Sequence, residues 1–507
     1  MDGQEGQIFR AVFEGIVGLF RIAAFLLRFT IWAGRRLYGW YRAHNPRPFV
    51  FPPDARFEHT HIVAGTGHGK TQLLQTMILD DVEKVRAGQA SIIVIDSQGD
   101  MIRNILTMAS MRELSDRLVL IDPTDIDFPP ALNLFDFGLD RMKGYDRLEQ
   151  ERLLNGAIDL YEYLFGALLG AELTQKQGVF FGYLARLMMA VPGATIKTLM
   201  DFLEDPEQAR PYFTKLDKLS RHFLETQFFS SAYSSTRQQI LTRLWGVVSN
   251  SILEKMFNNA RNKVNLFSAM NTGSIILINT AKDLLKTERC AILGRFFIAL
   301  ICQAAQERAT IAVSKRRSTY VYIDEAHDYF DERMENLLNQ ARKYMVGLVL
   351  AHQNLDQFDQ KLRATVMSST SIKLVGGLSD KDANAFAREM RCAPDFLQGM
   401  RKFRGHTTFA AYVKNHTPEP FPLSVPFGVM EDQPRLTSAD YAELMRRNRQ
   451  RYSAREETPP PVKDWMVPRP RKDRITMKDW MQPRAKGDPQ KTLTDLSALG
   501  IGDPDVL

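Results

Sequence analysis

Cysteine is scarce: the 507 residues hold three, Cys290, Cys302 and Cys392, with no ligand spacing among them. That leaves neither a disulfide framework nor a cysteine-built metal site, and it favours a reducing interior. A cleavable signal peptide is also lacking, because no short apolar core is followed by an Ala-x-Ala-like processing site. The net charge of +7 is no guide to the centre of the chain. Its excess lies in the first ~48 residues and in the stretch ~435–486, so the region between is near neutral. Bulk charge therefore gives no reason to place nucleic acid on that central region; the two ends are the parts suited to anionic lipid or nucleic acid. What is plentiful is apolar material, 44% of residues, ample for a buried core and for more than one domain.

The most informative segment is Ala64-Gly-Thr-Gly-His-Gly-Lys-Thr71, between a predicted strand (His61–Ala64) and a helix predicted from Thr71. Gly65, Gly67 and Gly69 let the backbone curl so that successive N–H groups, with those of Thr66 and His68, point inward at phosphate oxygens. The helix N-terminus adds positive potential. Lys70 is placed to reach the β- and γ-phosphates, and the Thr71 hydroxyl to ligate Mg²⁺. Some 250 residues on, Ser318-Thr-Tyr-Val-Tyr-Ile reads as a buried strand ending in Asp324-Glu325. Asp324 is then the Mg²⁺-holding acid and Glu325 the group that orients or deprotonates the attacking water. The loop and the acidic strand end together predict an ATP- and Mg²⁺-dependent hydrolase.

A third apolar strand, Met345–His352, ends in Gln353, a polar amide suited to sensing a γ-phosphate. Arg342 and Arg363 are candidates for a charge inserted into a neighbouring subunit's site, against the plainer reading of each as a surface ion pair. Asp96, at the end of the strand Ser91–Asp96, reads as a supporting residue or as a cap for the turn at Gln98-Gly99.

The loop at 64–71, Ile93-Val-Ile-Asp96-Ser-Gln-Gly-Asp100, Ala131-Leu-Asn-Leu-Phe135, Asp324-Glu325 and the run Gln340-Ala-Arg-Lys-Tyr to Ala351-His-Gln353 occur in a familiar order. The chain resembles the type IV secretion coupling proteins, conjugative DNA-transfer ATPases of the FtsK–HerA superfamily, over roughly residues 55–425. The resemblance implies an α/β fold: a RecA-like P-loop NTPase sheet with an all-helical insertion. It also implies a homo-hexameric ring on the cytoplasmic face of the bacterial inner membrane, with DNA, or DNA with attached protein, as cargo and secretion-channel or relaxosome proteins as partners. Within that class a soluble FtsK–HerA-like DNA pump is an alternative. Outside it stands a nucleotide-dependent adaptor that gathers protein cargo through its tail, against which the intact Lys70, Asp324 and Glu325 weigh.

Five regions follow from the patterning. In residues 1–48, Glu14, Arg21, Arg28 and Arg35 recur every seven residues and form one polar stripe on an otherwise apolar helix. Two arginines inside a lone span would cost about 2.5–3.5 kcal/mol each, a cost that a helix lying on the membrane surface avoids. A span whose arginines pair within an oligomer and a soluble docking helix stay open as alternatives. Coupling proteins commonly carry two clear spans here, and this chain departs from that pattern. Residues 49–140 hold the first half of the motor, with short Ile/Val-rich strands each ending in Asp. Residues 141–270 are patterned as helices, and 271–430 resume parallel-strand signals, with a last strand expected at Thr407–Val413. Residues 431–507 begin with a helix (cap Ser438, body Ala439–Arg451) and continue as a Pro-rich, basic tail expected to be disordered. The tail repeats Lys463-Asp-Trp-Met-Val-Pro-Arg469 as Lys478-Asp-Trp-Met-Gln-Pro-Arg484, which reads as a paired docking motif anchored by Trp465 and Trp480.

Overall fold

A computed structural model of the chain describes residues 50–136, 143–169, 174–330 and 340–455, with Thr30, Gly138 and Leu338 besides; of 164–169 it describes the backbone. The amphipathic segment of 1–48 and the tail repeats lie outside these residues. Among the described residues nine strands, β1 (Thr60–Ala64), β2 (Ala90–Asp96), β3 (Leu118–Ile121), β4 (Ile275–Asn279), β5 (Ser318–Ile323), β6 (Val346–His352), β7 (Ile372–Gly376), β8 (His406–Val413) and β9 (Phe421–Pro426), form one sheet. Their order is β3-β4-β2-β5-β6-β1-β7-β8-β9. The first seven in that order run parallel, and β8 and β9 add an antiparallel edge.

Parallel strands covered on both faces have to be apolar on both, and β2 is buried at every position. Its alternate residues serve two cores. Ile92 and Val94 pack with Leu73, Leu74 and Ile78 of the helix Lys70–Arg86, while Ile93 and Ile95 pack with Phe296 and Phe297 of the helix Lys282–Glu307. The latter helix lies in the segment Lys282–Thr310, which is long and apolar enough to cross a membrane, yet 72% of its most apolar window is buried inside the protein. It is the spine of the second core.

Between β3 and β4 the described residues form helices and no strand, beginning with Arg147–Leu169 and ending with Leu266–Thr272. Local signals set their ends: Thr174 and Thr195 each close a reciprocal capping box, and Asn250 caps Ser251–Phe257. Phe180 stacks on Phe228 and Tyr233 at ring separations of 5.5 and 5.3 Å. This aromatic interior is continuous with the core on the Phe296 side of the sheet, so the helical region leans on the motor and has no core of its own.

Three details differ from expectation or refine it. A strand beyond 407–413 had no sequence signal, because β9 (Phe-Pro-Leu-Ser-Val-Pro) carries two prolines and lies at an edge, where a missing N–H costs nothing. The C-terminal helix Ser438–Tyr452 is capped by Thr437, whose hydroxyl accepts the Asp440 N–H at 3.1 Å, not by Ser438. That helix covers the other sheet edge: Asn448 accepts the Leu120 N–H (2.9 Å) and donates to the Leu120 carbonyl (3.1 Å), replacing the ladder that β3 lacks on its outer side. Finally, the tyrosines of β5 have a polar purpose. Arg56 grips Asp81 with two bonds of 2.6 and 2.8 Å and donates to Tyr322 Oη (3.0 Å), while Tyr322 donates to Asp81 (2.6 Å). This buried knot ties the helix after the loop to the strand that carries the acidic pair.

Candidate functional site

The strand order decides the site. β1, carrying the glycine loop, and β5, carrying the acidic pair, are not neighbours; β6 lies between them. The C-terminal ends of these parallel strands converge, as ligand-facing ends do in such sheets. Gln353, just past β6, is therefore delivered between loop and acids. It donates to Glu325 Oε1 at 3.1 Å and accepts from the Thr66 hydroxyl at 3.1 Å.

The loop is shaped by its glycines. Gly67 (φ 75°) and Gly69 (φ 110°) lie in the left-handed region, where a side chain would be strained. Gly65 presses against the Gly377 carbonyl, leaving no room for a Cβ. Gly69 precedes the helix Lys70–Arg86 and offers no capping side chain, so the first N–H groups of that helix open onto a cleft of about 400 Å³. The cleft is lined by Gly65, Thr66, Gly67, Gly69, Lys70 and Thr71 among others. The His68 side chain is not in that lining. Its buried ring bonds the Thr408 carbonyl at 2.9 Å and meets Phe409 edge-on, anchoring the loop to β8.

Lys70 joins both acids, with Nζ 2.5 Å from Asp324 Oδ1 and 2.6 Å from Glu325 Oε1. Burial opposes the ammonium, but the two carboxylates outweigh it and hold the Lys70 pKa above its ordinary value. Burial likewise pushes Glu325 up, and Lys70 with Gln353 more than offsets that, keeping the carboxyl below its usual range. Glu325 takes a left-handed backbone (φ 49°), an unusual conformation for a non-glycine residue and one found at functional sites. Among the described residues its Oε2 is buried without a hydrogen bond, 3.5 Å from His327 Nδ1, which also has none there. Gln357 completes the ring by accepting the Gln353 N–H (2.8 Å) and meeting His327 Nε2 at 3.2 Å. In the sequence Gln357 and His327 are not marked as site residues; the Asn354…Gln357 capping spacing is the one local signal for Gln357.

Other candidates sit elsewhere. Asp96 accepts the N–H groups of Gln98, Met101 and Ile102 at 3.0, 3.0 and 3.3 Å, and so caps the helix Asp100–Leu106. Arg342 pairs with Glu58 (2.5 Å), which precedes β1 and so lies at the strand end opposite the loop. Arg363 lies 3.8 Å from Asp356, a few residues beyond Gln353.

With this geometry in place, residues 48–126 match the family model of the type IV secretion-system coupling protein DNA-binding domain. The resemblance to coupling proteins holds. Among solved structures, the sulphate-bound trigonal form of the bacterial conjugative coupling protein TrwBdeltaN70 superposes with a TM-score of 0.53 at 13% identity, over 79% of this chain and 94% of that one. The plasmid coupling protein TrwB in complex with ADP and Mg²⁺ gives 0.51 at 14% identity, over 74% and 86%. TrwB in complex with the non-hydrolysable GTP analogue GDPNP gives 0.52, also at 14%, over 76% and 89%. No curated protein matches by sequence. The fold is thus the coupling-protein fold, a RecA-like P-loop sheet, and the cleft described above lies at the loop of that fold.

Proposed function

We propose that this protein is a Mg²⁺-dependent ATPase that drives DNA, alone or with attached protein, into a type IV secretion or conjugation channel. The observation that carries the chemistry is the chain of bonds from Thr66 through Gln353 and Glu325 to Lys70 and Asp324, of which Thr66, Lys70 and Gln353 line the cleft. The residues fit a nucleotide: helix N–H groups with no side-chain cap, a glycine-shaped loop and, among the described residues, a buried carboxylate oxygen without a hydrogen bond. Thr71 and Asp324 would hold Mg²⁺, which supplies charge neutralisation at the β- and γ-phosphates. Loop N–H groups and Lys70 bind the phosphates. When Lys70 turns to phosphate oxygens, its hold on Glu325 weakens, and only Gln353 and His327 still oppose the upward push of burial. Glu325 then becomes a better base, and its Oε2 takes a proton from the attacking water. Gln353, touching both Glu325 and the loop, senses the γ-phosphate.

DNA as cargo is supported by the DNA-binding description of the matched family model. A homo-hexameric ring on the cytoplasmic face of the inner membrane belongs to the same reading. Residues 49–140 and 271–430 form the motor, 141–270 its helical insertion, 1–48 the membrane contact, and 431–507 the tail that docks channel or relaxosome proteins. The test is ATP turnover of the full chain with and without DNA, beside Lys70→Ala and Glu325→Gln. Turnover that DNA stimulates and both substitutions abolish is expected. Negligible, DNA-insensitive turnover by the intact protein refutes the proposal.

A further inference from the structure

The cleft has a second wall that the hydrolytic network does not use. Across from Gln353 it is closed by Phe427 and Lys402, contributed by the antiparallel edge of the sheet. Phe427 follows β9 and Lys402 lies just before β8, far in sequence from every motif of the loop and the acids. The Phe427 backbone is held in place. The Phe427 N–H donates to the Gly405 carbonyl (2.9 Å), and the next N–H, of Gly428, donates to the Gln72 side chain (2.7 Å) in the first turn after the loop. The Phe427 ring lies 3.4 Å from where a Cβ on Gly69 would stand, and Lys402 Nζ is 5.3 Å from the ring centroid.

The two walls differ in chemistry. The Gln353 side carries the Lys70 cation and the amide, backed by the acids they bond, and suits the γ-phosphate end. The opposite side offers one half-buried aromatic ring beside Gln72, the first residue past the Lys-Thr pair and therefore nearer the α-phosphate end. A flat apolar ring there is unsuited to phosphate and suited to a nucleobase, since every base has a π-face to stack. We propose that Phe427 is the nucleobase platform of this site and that Lys402 neutralises the phosphate chain beside it. The inference rests on reading the loop as a triphosphate cradle. It adds which part of the chain recognises the base: the β8–β9 edge.

The experiment separates the two ideas by comparing ADP with inorganic tripolyphosphate, each titrated with Mg²⁺ into the full chain. Phe427→Ala is expected to weaken ADP about tenfold or more while leaving tripolyphosphate unchanged, and Phe427→Trp to keep ADP affinity. Unchanged tripolyphosphate binding also shows that the loop of the variant is intact. Lys402→Gln is expected to weaken both ligands. Equal losses of ADP and tripolyphosphate in Phe427→Ala overturn the platform, because the ring would then only brace the loop. No loss of either overturns it too, and an unaffected Lys402→Gln removes that residue's role. If the unsubstituted protein binds neither ligand, the triphosphate cradle itself falls, and the inference with it.

Discussion

Acid is expected to loosen this protein through its buried imidazoles. His59 and His352 are 2% and 0% exposed. His59 Nε2 donates to the Leu338 carbonyl (2.7 Å) and its Nδ1 accepts the Leu348 N–H (3.1 Å), so the neutral ring uses both nitrogens. His352 Nδ1 faces the Asn354 carbonyl (2.8 Å), which can only accept, so Nδ1 carries the proton. Its Nε2 must then accept from His61 Nε2, 2.7 Å away. A second proton on either ring turns an acceptor into a donor facing a donor. Burial accordingly pushes both pKa values down to about 4. His61 is displaced in the same direction, again chiefly by burial.

The folded values lie below the ordinary imidazole value of about 6.5, so the unfolded chain binds more protons between about pH 4 and 6.5. Stability conferred by the neutral rings is therefore full above that window and is lost as pH falls through it. From pH 7 to pH 5 each ring accounts for about 2 kcal/mol, and the pair for about 4 kcal/mol, a large part of a typical folding free energy. Urea unfolding of the full chain at pH 7, 6 and 5 measures this loss. His59→Gln, an amide with a donor and an acceptor but no titration, should be less stable at pH 7 yet lose about 2 kcal/mol less across the interval. A flat profile in the unsubstituted protein, or an unaltered slope in His59→Gln, would refute the reasoning.

Three further outcomes follow from named contacts. Arg56→Met leaves Asp81 charged and buried beneath β5, and should cost about 3–5 kcal/mol in denaturant unfolding; a loss under 1 kcal/mol would show that Lys84, 2.7 Å from Asp81, suffices alone. Asn448→Ala removes both side-chain hydrogen bonds to the Leu120 backbone, costing about 1–3 kcal/mol and speeding hydrogen exchange at the Leu120 amide, which should otherwise be protected. Gln353→Ala cuts the link from Thr66 to Glu325 and should lower kcat about 10–100-fold with ADP affinity unchanged; a matching loss of ADP binding would mean that Gln353 serves the ground state.

How much of this was legible in the sequence depends on distance along the chain. The glycine loop announced itself because its chemistry is local: strand, turn and helix follow one another without a break from Thr60 to Arg86, and each glycine answers a backbone need that no other residue meets. The parallel sheet was legible for a similar reason, since strands buried on both faces read as unbroken Ile/Val runs whatever their order. Strand order itself leaves no local trace. Nothing in Met345–Gln353 says that β6 slips between β1 and β5, yet that insertion alone brings Gln353 within 3.1 Å of both Thr66 and Glu325. The same limit hid the opposite wall. β9 is short, proline-bearing and half-buried, so it lacks strand periodicity, and Phe427 after it looks like any loop aromatic. It acquires meaning only because the sheet folds its antiparallel edge back beside Gly69 and Gln72. His68 shows the converse. Its N–H was expected among those facing phosphate but donates to the Gly65 carbonyl (3.0 Å), while β8 offers the Thr408 carbonyl and the Phe409 ring on the far side of the loop, where the imidazole is buried.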